Sequence, residues 1–136
     1  MAGIAVTITI YSTVLSSRVI TRPDTQSGEE TVLNHARRAR GQKTLSYSAR
    51  LDREAAKRAA SMRAGGLSHA GLEGTRRRLR VRRIGENLAR GCGSTETCTR
   101  LWLLSPGHRR VLLDPTWTQI GVARQGSIWV ALFARS

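Results

Sequence analysis

The sequence predicts a single α/β domain in which one sheet is sandwiched between helical layers, and three observations carry that expectation. Ile128-Trp129-Val130-Ala131-Leu132-Phe133 is apolar at every position, so a strand written this way must be covered on both faces. Leu51, Ala55, Ala59 and Met62 recur at helical spacing and mark an amphipathic helix to supply one of the covers. The chain has 136 residues, 40% of them hydrophobic, enough to close one core and too few for two ordinary domains.

Residues 1–28 read as a signal-like or flexible segment with a linker, and residues 29–136 as the folded domain. Gly3 to Leu15 has about the length of a signal-peptide apolar region, but no Lys or Arg precedes it, and Thr7, Thr9 and Ser12 dilute it. Val6, Ile8 and Ile10 alternating with threonines suit an extra strand equally well. Secretion is the expected destination, on a weak leader. No run approaches the roughly 20 apolar residues that span a bilayer.

Ser27 stands three residues before Glu30 in a capping-box arrangement and opens the first helix. Val32, Ala36 and Ala39 are expected on its inner face, Arg37, Arg38 and Arg40 outside, His35 near the rim, and the stop at Gly41. The second helix opens near Ser48 and closes at Gly65 and Gly66. From Leu67 to Arg83 the period is lost, and this stretch reads as a surface loop or ragged ribbon. A third helix spans about Ser94 to Leu104 with Cys98, Leu101 and Trp102 inward. Ser105 as N-cap and Pro106 at the first helical position then start a short helix to Leu113, which places His108 in its first turn. Gln119–Arg124 and Ser127–Phe133 form a hairpin joined at Gln125 and Gly126.

The net charge of +14 and a pI near 11.7 favour encounter with polyanions, whether nucleic acid, anionic lipid or an acidic wall polymer. The densest cluster, Arg76, Arg77, Arg78, Arg80, Arg82 and Arg83, is a candidate anion site; no aromatic residue interleaves it, which argues against stacking on single-stranded nucleic acid. Cys92 and Cys98 are too widely spaced for a CxxC redox pair and too few for a four-ligand zinc site. They form either a local disulfide clamp before the third helix or two buried thiols.

His69, Glu86 and His108 fall at the edges of expected elements, where a scaffold aims reactive side chains. The helix dipole keeps a first-turn imidazole neutral, the metal-binding form. Two imidazoles and one carboxylate would leave an open position on a divalent ion, zinc above others, as in catalytic zinc sites. In a hydrolase reading, Glu86 would serve either as ligand or as general base, never both at once.

Leu67-Ser68-His69, Gly85-Glu86-Asn87-Leu88-Ala89 and Trp102-Leu103-Leu104-Ser105-Pro106-Gly107-His108-Arg109 occur in the order seen in the CAP superfamily, the cysteine-rich secretory, antigen-5 and pathogenesis-related proteins. Leu33-Asn34, Leu51, Ala55, Ile120-Gly121-Val122 and Trp129 agree further, so the chain resembles short bacterial members over about residues 29 to 135. The resemblance implies a three-layer α-β-α sandwich with His69, Glu86 and His108 in a central cleft that binds divalent metal in some relatives. It also implies structural support from Asn87, Trp102 and the cap Ser105. A second glutamate found after the tryptophan in four-residue clefts is missing, since Leu103, Leu104 and Ser105 stand there. The resemblance fixes no general reaction; its members are linked to sterol or lipid binding, channel effects, immune signalling and, in a few, proteolysis. A secreted, monomeric binding module that contacts lipid or anionic envelope material is the resulting expectation. A zinc-dependent hydrolase and a nucleic-acid binder are the alternatives.

Overall fold

The computed structural model describes residues 28–136. The leader or strand expected within Gly3–Leu15 and the Ser27 cap lie outside the described residues. Nine elements follow in order: α1 (Gly28–Arg38), β1 (Ser46–Tyr47), α2 (Ala49–Ser61), α3 (Leu72–Leu79), β2 (Arg83–Arg90), α4 (Thr95–Leu104), α5 (Pro106–Leu112), β3 (Gln119–Gln125) and β4 (Ile128–Arg135). The strands form one sheet in the order β1-β3-β4-β2, antiparallel except for the short parallel pairing of β1 with β3.

The doubly apolar β4 is covered on both sides, as its sequence requires. Trp129, Ala131 and Phe133 join Leu33, Trp102, Leu112 and Trp117 in a core beneath α1, α4 and α5. Ile128, Val130, Leu132 and Ala134 join Leu51, Ala55, Ala59 and Leu79 in a second core beneath α2 and α3. Period-2 alternation thus divides one strand between two cores.

Four local expectations are corrected. The inner face of α1 is Glu30, Leu33, Asn34, Ala36 and Arg37, while Val32 is half-buried and Ala39 exposed. Arg37 is fully buried, donating from Nε to the Lys43 carbonyl at 2.9 Å and from Nη1 to the carbonyls of Leu112 at 2.8 Å and Asp114 at 3.0 Å. Leu112 ends α5, and Lys43 and Asp114 lie in the connections after α1 and α5, so the guanidinium satisfies backbone groups outside any ladder. Second, the expected loop contains α3, whose buried Thr75 and Leu79 are spaced four apart, a period hidden by the arginines around them. Third, Ile84–Gly91, to which the sequence assigned no element, is largely strand β2: Ile84, Glu86 and Leu88 alternate with Gly85, Asn87 and Ala89, and the two polar members obscure an otherwise buried strand. Fourth, the hairpin turn is Gly126-Ser127, one residue later than expected, because Gln125 still pairs with Ile128 and Gly126 takes the positive φ of 59°.

Two details set the position of the candidate site. A Cβ on Gly121 of β3 would lie 2.5 Å from the backbone at Leu51 and Asp52, so only glycine lets the first turn of α2 rest directly on the sheet. Next to it, the Val122 N–H lies beyond the two-residue β1 and donates instead to Glu30 Oε1 at 3.0 Å and Asp52 Oδ1 at 2.8 Å. Ser48 caps α2 by accepting the Leu51 N–H, completing the anchorage of that helix.

Candidate functional site

Strand β2 carries the polar residues of the site, and its pleat sends neighbours to opposite faces. Glu86 lies in register with Ile84 and Leu88 of the α2/α3 core, and Asn87 with Ala89 of the other core. Both are buried.

On the α2/α3 face, the carboxylate of Glu86 is gripped bidentately by Arg58 of α2: Nε donates to Oε2, and Nη2 donates to Oε1 at 2.9 Å. His69, on the loop before α3, places Nδ1 2.8 Å from the same Oε1. Arg58 also reaches that loop, with Nη1 donating to the Ala70 carbonyl at 3.3 Å and Nη2 to the Ser68 carbonyl at 3.4 Å. The His69 Nε2 atom is buried without a hydrogen-bond partner among the described residues.

On the opposite face, Asn87 Nδ2 donates to the His108 carbonyl at 3.0 Å, tying β2 to α5. His108 is buried, with Nδ1 2.9 Å from Ser105 Oγ. Ser105 occupies the N-cap position of α5 as expected, but its side chain makes no capping bond to the backbone. It holds the imidazole directly instead. Trp102 is buried in the core, as expected of it, with its indole N–H donating to the Leu88 carbonyl at 3.0 Å.

His69 and Glu86 are therefore brought together. Among the described residues, however, no group of three or more His, Cys, Asp or Glu side chains is arranged to hold a metal ion. The donor chemistry gives the reason. A metal site needs a carboxylate whose charge is not already met, and the charge of Glu86 is compensated by the Arg58 guanidinium bonded to both its oxygens, with His69 on Oε1 as well. The residues present do not fit a His-Glu-His metal centre.

Arg58 was missed in the sequence although a signal existed: it lies seven residues after Leu51 and four before Met62, on the apolar stripe of α2. Arg37 likewise lies seven residues after Glu30 and four after Leu33, on the inner face of α1. A charged residue at core spacing is a buried partner in both helices.

The arginine cluster divides. Arg76 and Arg77 pair with Glu73, whose carboxyl is held down to about 2, first by the hydrogen bond from Arg76. Arg78 pairs with Glu54, and Arg83 with Asp114 while lying over the Trp117 ring. Arg80 and Arg82 are exposed and form no ion pair among the described residues. Cys92 and Cys98 form a disulfide that closes the loop between β2 and α4. Among the described residues no helix is long and apolar enough to cross a membrane.

Known proteins agree with this architecture. A 51-residue segment is 43% identical to the uncharacterized protein YkwD of Bacillus subtilis, covering 36% of this chain and 20% of that protein. A cysteine-rich secretory protein of Staphylococcus aureus superposes with a TM-score of 0.74 at 18% identity, over 90% of this chain and 43% of the other. An extracellular SCP-domain protein of Bacillus anthracis gives 0.69 at 22% identity, over 88% of this chain and 45% of the other. An outer surface protein of Borrelia burgdorferi gives 0.70 at 19% identity, over 78% and 88%. The chain thus spans under half the length of the first two structures and a fifth of YkwD. The model of the cysteine-rich secretory protein family, CAP, matches residues 31–128, and the chain, with its α-β-α sandwich, belongs to that family.

Proposed function

We propose that the chain is an extracellular binding module that grips phosphate-bearing envelope material, polymer or lipid headgroup, through a basic edge. One observation carries the reading: exposed arginines gather at one end of the sheet without acidic partners among the described residues. The N–H of Arg82 donates to the carbonyl of Arg135 at 2.8 Å, so these exposed residues are neighbours, and Arg80 precedes them at the end of α3. Arg83 continues the edge to Asp114, which lines an open depression of about 470 Å³ with Arg109, Arg110 and the apolar Pro106, Leu113 and Pro115. Guanidinium groups free of carboxylates are suited to bidentate phosphate contacts. The surface-exposed relatives support the location. Against a zinc hydrolase stands the occupied carboxylate of Glu86.

The test is co-sedimentation with phosphatidylglycerol vesicles and with a phosphodiester polymer, beside phosphatidylcholine vesicles and duplex DNA. Binding to at least one of the two anionic envelope probes is expected, weakened by salt and cut roughly tenfold or more in an Arg80→Gln, Arg82→Gln, Arg135→Gln triple variant through loss of counterion release. Equal binding to neutral vesicles, or no change in the triple variant, overturns the reading. Tighter binding to duplex DNA than to either envelope probe replaces it with the nucleic-acid alternative.

A further inference from the structure

We infer that the basic edge belongs to a single row of guanidinium groups, Arg53, Arg50, Arg80, Arg82 and Arg135, and that this row holds a flexible phosphodiester chain without bases, a polyol phosphate polymer, in preference to a bilayer surface. The inference rests on the basic-edge reading and deepens it by choosing the ligand.

The row is built link by link. Arg50 and Arg53 stand three residues apart on the outer face of α2, within one turn of each other. The Arg50 Nη2 atom donates to the Leu79 carbonyl at 3.4 Å, which brings it to the end of α3, where Arg80 follows. Arg80 and Arg82 flank the buried Val81 and are both exposed, and the Arg82 N–H is bonded to the Arg135 carbonyl. None of the five forms an ion pair among the described residues. The carboxylates around them are engaged elsewhere: Asp52 with the Val122 N–H and the Tyr47 hydroxyl, Glu54 with Lys57 and Arg78, Glu73 with Arg76 and Arg77. Residues three apart on a helix or two apart in extended chain lie roughly 5–7 Å from each other, so the charge repeats along one dimension.

Arg80 supplies an independent observation. Among the described residues it is the one non-glycine residue with positive φ, at φ 56° and ψ 39°, the left-handed position that closes a helix and that glycine or asparagine ordinarily fills. Its side chain is exposed, so core packing does not require a Cβ there. A guanidinium is kept where the backbone prefers glycine, at the corner that joins the α2 half of the row to the sheet half, and such an outlier points to a use for the charge.

The same surface selects among anionic ligands. Unpaired guanidiniums match phosphate oxygens bidentately. A bilayer-binding surface couples basic residues to apolar side chains that enter the acyl boundary. The row has none: the large hydrophobic residue exposed among the described ones, Leu104, is on α4, in the layer across the sheet from α2 and α3. No aromatic residue belongs to the row either, so nucleic-acid bases would gain no stacking.

The experiment measures binding of poly(glycerol phosphate) fragments of graded length by calorimetry across a salt series, beside phosphatidylglycerol vesicles and single-stranded DNA at equal phosphate concentration. Affinity is expected to climb with length until about five phosphates are engaged, with log K falling against log salt at a slope of about −3.5. Arg50→Gln combined with Arg53→Gln is expected to weaken binding of the longest fragment roughly tenfold and to flatten that slope by about 1.4. Arg80→Gly is expected to weaken it by a smaller factor while raising Tm, a combination that a purely structural role does not produce. A double variant that binds as wild type overturns the inference and leaves the basic-edge reading to its own triple variant. Affinity independent of length overturns it, as does tighter binding to the vesicles or to DNA, or an Arg80→Gly protein with wild-type affinity. If the double variant does not fold, Arg53→Gln alone is read in the same way.

Discussion

Glu86 and Asn87 are consecutive on one strand and equally deep, yet the layers they face use them differently. Glu86 meets the full charge of Arg58 and the ring of His69, and every contact is side chain to side chain. Asn87 meets a neutral backbone carbonyl, that of His108, and holds a helix rather than a charge. Gly85, just before them, lies where a Cβ would come within 2.6 Å of Trp117. A three-residue motif therefore fastens both layers to the sheet: Glu86 by electrostatics, Asn87 by an amide, and Gly85 by close approach. The lesson is that burial alone does not rank polar residues. What ranks them is whether losing the partner leaves an uncompensated charge.

Breaking the charged side should cost most. Arg58→Leu leaves Glu86 buried and unpaired and is expected to lower unfolding stability by about 3–5 kcal/mol in urea titration. Adding Glu86→Leu should recover a large part of that loss, whereas an additive double variant would show that the two side chains do not act as a pair. On the amide side, Asn87→Ala should cost about 1–3 kcal/mol by orphaning the His108 carbonyl, with no rescue by any charge change nearby. An Asn87→Ala loss equal to that of Arg58→Leu would erase the contrast between the layers.

The smallest effect is in acid, and each layer has its own reporter. Burial works to raise the carboxyl of Glu54, but hydrogen bonds from Arg78 and Lys57 outweigh it and hold the group below 4.5. Burial likewise works to raise the carboxyl of Asp114, but hydrogen bonds from Thr116 and the charge of Arg83 outweigh it and hold the group below 3.8. A depressed folded-state carboxyl contributes stability that is complete above its ordinary value and is lost as pH falls through the lowered one. Stability should therefore fall below about pH 4, with Glu54→Gln flattening the part that belongs to α2 and α3 and Asp114→Asn the part that belongs to the other side. Identical curves for wild type and both variants would contradict the assignment.

Where apolar period was uninterrupted, the sequence was a sufficient guide. The α2 stripe, the two-faced β4 and the Ser105-Pro106 helix start all stand where their residues place them. Legibility failed where a polar residue took a core position. Arg37 and Arg58 occupy inner faces because each has a specific acceptor that only folding supplies: two helix-end carbonyls for one, a strand carboxylate for the other. Reading charge as solvent-facing discards such residues. The arginines around Thr75 and Leu79 hid α3 in the same way, and Glu86 with Asn87 hid β2. The site suffered most, since His69 and Glu86 were identifiable by motif while the residue that defines their chemistry was not.

The bare backbone of Gly121 acts as an alignment stop. Because the first turn of α2 lies flush on β3 there, the height of the whole helix above the sheet is indexed at one end. Arg58 is seven residues further along, roughly 10 Å of axial rise away. A methyl group at 121 would act as a shim under one end of a lever, tilting the guanidinium off its carboxylate. The occupancy of the polar cleft is thus set in part by a residue with no side chain, on a different strand from the cleft it governs.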